Sequence, residues 1–215
     1  MDLDQHEQGE LVQKWLRNNG SSLITGIAMG LLLVFGWQWW QGKGVRHQEE
    51  AASQYLVFSD AITAKNAEKA KALSGELADK YADTPYAELA ALRNAAFLHE
   101  TGKSADAIAL LRAYLPKVKQ ADMAELFQLR LTRLLLISGK SADAAKELAS
   151  IKSPRYIEIG AELRGDIAVA QGKRDEARKA YQNALTQLDQ GAPTRPLLEL
   201  KLIDVGGTPP AKPES

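Results

Sequence analysis

Histidines, cysteines and paired acids are the residue types from which a chain most readily builds chemistry, and they are sparse here. His6, His47 and His99 are the only histidines, no two of them fall at metal-ligand spacing, and there is no cysteine. No glycine-rich phosphate loop, nucleophile elbow or paired-acid motif stands in a context that would confirm it. The sequence therefore predicts no catalytic, metal or cofactor site, and a protein that is not an enzyme. Arg130 and Arg133 lie one turn apart in a leucine-rich stretch, where arginines are expected to pair with neighbouring carboxylates rather than serve a ligand. What remains is contact chemistry, which depends on the elements that present it.

The first such element is residues 23–40, LITGIAMGLLLVFGWQWW, which carry no charge. With Ser21 and Ser22 they make a helix about 30 Å long, the thickness of a bilayer core. A cleaved signal peptide would have a basic head and a small-residue exit. This head instead carries Asp2, Asp4, Glu7 and Glu10, and the exit is Trp37, Trp39 and Trp40, which fits an interfacial aromatic belt. The reading is one uncleaved membrane-spanning helix. Lys14 and Arg17 before it balance Lys43 and Arg46 after it, so charge alone does not orient it; only the short first segment and its amino group lean toward a cytoplasmic N-terminus. Within the span, Ser22, Gly26 and Gly30 form a small-residue stripe of the kind that lets another membrane helix approach closely.

Beyond the anchor the chain is rich in Ala, Leu, Lys, Glu and Gln, an all-α composition. Its 27 basic residues balance 27 acidic ones, so no net field recruits nucleic acid. No small-molecule substrate is indicated. Absence of cysteine leaves the redox compartment open.

An internal repeat organises this remainder. TGKSADAIALL from Thr101, SGKSADAAKEL from Ser138 and QGKRDEARKAY from Gln171 align without gaps. Gly102, Gly139 and Gly172 are 37 and 33 residues apart, as are Ala107, Ala144 and Ala177, a period that implies stacked helical hairpins. Each glycine suits the left-handed turn that ends a helix, and Ser104, Ser141 and Asp175 stand where the next helix needs a cap. Each alanine leaves room for two helices to cross closely, facing the small residues Ala95, Thr132 and Gly165 twelve positions earlier.

In these features the chain resembles the tetratricopeptide repeat, although Ala91, Gln128 and Ala161 stand where that pattern usually has Trp. The expected fold is all-α: a single N-terminal transmembrane helix followed by a tetratricopeptide-like α-solenoid of about three to four hairpins. The boundaries are a tail over 1–22, the transmembrane helix over 23–40, and juxtamembrane helices over 41–84 with a hinge at Gly42 or Gly44. The repeat domain with its capping helix then covers 85–205, and a disordered tail 206–215. The repeat resemblance places an inner wall on Leu89, Leu92, Ala96 and His99, then Leu126, Leu129, Arg133 and Leu136, then Ile159, Glu162 and Asp166. Such a wall is either a groove for an apolar partner or is filled by the chain's own Leu197, Leu198, Leu202 and Ile203, the second reading weighing more because an open leucine trough invites aggregation.

The order of short strings along the chain is similar to that of the YfgM family of bacterial inner-membrane proteins. They are residues 12–20 (VQKWLRNNG), Gly36-Trp37, residues 51–55, Leu129-Arg130-Leu131 with Arg133, Leu163-Arg164-Gly165-Asp166, Gly172-Lys173 and Ala177-Arg178. The resemblance implies a single-pass inner-membrane protein with a cytoplasmic N-terminus and a periplasmic repeat domain. It also implies association with the SecYEG translocon and a PpiD-like membrane-anchored chaperone, in the passage of exported chains to periplasmic chaperones. The alternative is a cell-envelope scaffold or stress-response regulator using the same repeats.

Overall fold

A computed structural model describes residues 3–152 and 154–210, and every regular element among them is helical. The chain divides into two compact units, Met1–Ala52 and Ser53–Ser215.

Residues 3–52 of the first unit lie within helix α1 (Leu3–Thr63). Its stretch Arg17–Gln38 is long and apolar enough to cross a membrane, and none of it is buried inside the protein. Ile24, Leu32, Leu33 and Phe35 are all exposed. Polar side chains near its start turn inward on the helix: Thr25 Oγ1 donates to the Ser21 carbonyl at 2.7 Å and Asn19 Nδ2 to that of Trp15 at 3.0 Å. The hinge expected at Gly42 or Gly44 is not formed, because α1 continues through both. A helical glycine costs only about 1 kcal/mol, and neither has the left-handed backbone that ends helices elsewhere in this chain.

The second unit begins with residues 53–63 of α1, followed by α2 (Ala67–Lys80). Asn66 caps α2, its side chain accepting from the Lys69 N–H at 3.0 Å. Three hairpins follow: α3 (Pro85–Glu100) with α4 (Ser104–Tyr114), α5 (Ala121–Ile137) with α6 (Ser141–Ala149), and α7 (Ile157–Ala170) with α8 (Arg174–Gln187); α9 (Arg195–Asp204) closes the chain. The three hairpin turns are copies of one another. Gly102, Gly139 and Gly172 have φ of 80°, 74° and 74°. In each turn the backbone N–H of the next lysine donates to the carbonyl five residues back, Lys103 to Leu98, Lys140 to Leu135 and Lys173 to Ala168 at 2.7–2.9 Å, the bonding that satisfies the last carbonyls of a helix. The following helices start without the caps expected of them: α4 and α6 begin at Ser104 and Ser141 themselves and α8 at Arg174, each after a lysine and with no side-chain cap. The tight turn starts the helix one residue before Ser104 or Ser141 could cap it and two before Asp175 could, and Ser104 Oγ instead meets His99 Nδ1 at 2.9 Å. Gly206 repeats the turn at the end of α9, with φ of 80° and Gly207 donating to Leu202 at 2.9 Å, so the polar tail does not begin at 206. Of that expected disordered segment, 211–215 lie outside the described residues.

Packing follows the small-residue register. Ala107, Ala144 and Ala177 are completely buried, and so are Ala95 and Thr132 opposite two of them. The Thr132 hydroxyl, in a slot that Ala95 and Gly165 fill without polar atoms, has no hydrogen-bond partner. An unpaired buried hydroxyl costs about 1–3 kcal/mol, so Thr132→Val should raise stability by about 1 kcal/mol; a thermal melt in which this variant unfolds below the parent would contradict the assignment.

Glu125 fastens the long loop between α6 and α7 to α5. Only 3% exposed, its carboxylate accepts from the Arg155 N–H at 2.8 Å and the Tyr156 N–H at 3.0 Å. Glu125→Gln keeps the shape but turns one acceptor into a donor facing an N–H. A loss of about 1–2 kcal/mol should follow, read as a lower denaturation midpoint with faster amide exchange at 155 and 156.

Candidate functional site

The inner faces of α3, α5 and α7, the first helices of the three hairpins, meet the start of α9 around a cavity of about 490 Å³. Leu92 lines it from α3; Leu126, Leu129, Arg130 and Arg133 from α5; and Glu158, Ile159 and Glu162 from α7. Leu188 at the end of α8, and Thr194, Leu197 and Leu198 around the start of α9, complete it. Six of the residues placed on the inner wall by sequence thus converge: Leu92, Leu126, Leu129, Arg133, Ile159 and Glu162. The other five do not line the cavity. Leu89 is an exposed residue of α3, Ala96 is half-buried, His99 is engaged with Ser104, Leu136 packs against the first hydrophobic core, and Asp166 is held in an ion pair farther along α7.

The pairing with neighbouring carboxylates expected of Arg130 and Arg133 is not formed. Among the described residues Arg130 and Arg133 make no ion pair or side-chain hydrogen bond, and both are exposed at the cavity rim. Glu158 was missed because nothing in one sequence marks which of many acids faces a cleft.

The chain's own last helix fills the wall only in part. Leu198 and Leu202 are buried, packing with Val205 against Ala161, Ala168, Ala177, Tyr181, Ala184 and Leu185. Leu200 and Ile203 are 62% and 54% exposed on the opposite side of α9, and Leu197, 55% exposed, stands between the two faces at the cavity. A terminal helix of a solenoid ordinarily turns a polar face outward; this one does not.

Polar contacts pin α9 in place. Lys201 Nζ donates to Glu162 Oε1 at 2.6 Å and to Asp166 Oδ1 and Oδ2 at 2.8 and 2.9 Å. Tyr181 OH donates to Asp166 Oδ1 at 2.8 Å. Arg195 pairs with Glu199 at 3.0 Å and donates to the Leu188 carbonyl at 3.1 Å. Burial first, then the hydrogen bond to Asp166 and the neighbouring carboxylates, holds the Tyr181 phenol well above its ordinary range. A phenol that stays neutral when folded but ionises near pH 10 when unfolded contributes stability that is complete below pH 10 and lost as pH climbs further, because the unfolded chain then binds fewer protons. Stability should fall above about pH 10, and more gently in Tyr181→Phe; identical slopes in denaturant titrations of the two proteins would contradict the contact.

Ser22, Gly26 and Gly30 share one face of α1. Ser22 is exposed, and a methyl group added at either glycine would meet nothing within 4 Å. Among the described residues no group of three or more His, Asp or Glu is arranged to hold a metal ion.

With hairpins, turns and groove in hand, comparison with known proteins is decisive. The family model of the tetratricopeptide repeat-like domain matches residues 13–207. The chain belongs to that family. Three curated relatives share the name ancillary SecYEG translocon subunit. That of Escherichia coli K12 is 29% identical over 182 residues, 83% of this chain and 86% of its own length. The Haemophilus influenzae protein is 25% identical over 191 residues, covering 87% and 93%, and the Aggregatibacter actinomycetemcomitans protein 24% over 206, covering 93% and 97%. These relatives bear out the resemblance to the YfgM family. No solved structure matches the chain. Tetratricopeptide-like repeats form extended contact surfaces rather than reaction centres, and the family match includes the apolar part of α1 together with the hairpins.

Proposed function

We propose that this protein is a membrane-anchored interaction module ancillary to the Sec translocon, which helps newly exported chains move from the channel to periplasmic chaperones. The observation that carries the reading is the match to three proteins named as translocon subunits over 83%, 87% and 93% of this chain. In this reading residues 1–22 are cytoplasmic, 23–40 cross the inner membrane once, 41–84 lead away from it, and 85–205 form the periplasmic repeat domain. Ser22, Gly26 and Gly30 serve lateral packing against another membrane helix. The inner wall from Leu92 to Glu162 touches a polypeptide, either an exported client or a PpiD-like membrane-anchored chaperone.

Tethering explains why such a module needs no deep active site. A binding surface held beside a channel exit acts on emerging chains at high effective concentration, so weak contacts suffice. Photo-crosslinkers at Ile24 and Leu126 in native inner-membrane vesicles test the proposal. The expected products are adducts of translocon subunits from Ile24 and of exported chains or a periplasmic chaperone from Leu126. Adducts confined to envelope-building proteins, or protection of the repeat domain from protease added to spheroplasts, would reject it.

A further inference from the structure

We infer that the groove beside α9 receives an amphipathic helix of another polypeptide, one whose apolar stripe is flanked by carboxylates a turn apart. The inference rests on the reading of this groove as a polypeptide contact surface and specifies what enters it.

Three observations carry it. First, the floor is apolar, formed by Leu92, Leu126, Leu129, Ile159 and Leu197, and its volume of about 490 Å³ falls in the range of sites that accept inserted side chains. Second, the walls are helices whose backbone N–H and C=O groups are already spent on one another. The groove offers no strand edge, so an extended segment laid in it would bury backbone polar groups without partners, whereas a helix satisfies its own. Third, the rim is electrostatically unfinished. Arg130 and Arg133 are exposed with no ion pair among the described residues, while Glu162 opposite them is already engaged by Lys201. Glu158 is the one acid on this rim outside that pair, leaving a positive excess on the α5 side. Residues three apart on a helix are neighbours about 5–6 Å apart, so the two guanidinium groups match two carboxylates spaced by one turn on the incoming helix.

The test uses the full chain in nanodiscs of zwitterionic lipid and fluorescent synthetic peptides of about 18 residues, five helical turns. One peptide carries a leucine stripe with glutamates a turn apart beside it; the second has lysines for the glutamates; the third has the composition of the first in an order that destroys the stripe. After subtraction of binding to empty nanodiscs, the acidic amphipathic peptide should bind at least about tenfold tighter than either of the others. The paired substitution Arg130→Glu with Arg133→Glu lies on exposed positions and should leave the melting curve intact while reversing the preference toward the lysine peptide. Equal binding of the acidic and basic peptides, or a preference unmoved by the paired substitution, would overturn the charge match. Equal binding of the scrambled peptide would overturn the helical occupant, and no binding of any peptide would overturn the inference altogether. None of these failures touches the crosslinks to translocon subunits, by which the broader proposal stands or falls separately.

Discussion

Gly165→Ala should destabilise the repeat domain by about 3 kcal/mol, although alanine is the better helix former by about 1 kcal/mol. A Cβ built on Gly165 lies 2.2 Å from Tyr181 Cε1 and 2.4 Å from Cδ1, distances no packing adjustment of tenths of an ångström absorbs. Tyr181 is 3% exposed and tied through its hydroxyl to Asp166. The ring therefore leaves its slot and forfeits burial and hydrogen bond together, or α7 and α8 separate. Gly160, buried in the same helix but with nothing within 4 Å of its notional Cβ, should accept alanine with no loss. Circular dichroism melts should place Gly165→Ala roughly 10 °C below the parent and Gly160→Ala at or above it. Removing the ring with Tyr181→Ala should erase most of the extra cost of Gly165→Ala, since the two positions are in contact; an unchanged cost in that background would mean that the clash is not its cause.

This pair shows what was legible beforehand and why. A period of glycines and alanines is written in the sequence because turns and close crossings restrict residue type, and so the hairpin register, the helix-ending turns and the buried small residues could all be read. Gly165 was recognised as small, but the side chain filling the space opposite was not, because Tyr181 reaches it from another helix. Glu125 was invisible for the same reason: its partners are backbone N–H groups 30 and 31 residues away, and N–H groups carry no sequence signature. The caps were misplaced by one residue at Ser104 and Ser141 and by two at Asp175, because serine or aspartate before a helix signals a cap in general, whereas the tight glycine turn sets where the helix starts here. Of the wall residues, Leu92, Leu126, Leu129, Arg133, Ile159 and Glu162 converged, and Leu89, Ala96, His99, Leu136 and Asp166 did not. A repeat pattern gives which face of each helix points inward, but not how far the closing helix covers it.

Lys201→Met should loosen α9 by about 2 kcal/mol, seen as roughly 30-fold faster amide exchange across its second half while α3–α6 keep their protection. The substitution keeps most of the stem's packing and removes only the charge. It strips Glu162 and Asp166 of their shared cation, leaving two carboxylates one turn apart on α7, each about one-fifth exposed. Breaking a fully buried pair costs about 3–5 kcal/mol; partial access to water here reduces that. The anchors that remain are the buried Leu198, Leu202 and Val205 and the Arg195 contacts at the other end of the helix, so α9 should open from its C-terminal half instead of dissociating. Adding Glu162→Gln to Lys201→Met removes the repulsion and should recover part of the protection. Exchange no faster in Lys201→Met than in the parent would show that hydrophobic contact alone seats α9. Because Leu197 and Leu198 at the start of this helix form one wall of the groove, the same substitution separates two ways in which the groove could work. If α9 is a fixed wall, a looser helix weakens peptide binding along with exchange protection; if it is a partial stopper, loosening strengthens binding. The exposed Leu200 and Ile203 on its outer face favour the fixed wall, since a stopper would bury its most apolar side in the cleft it closes.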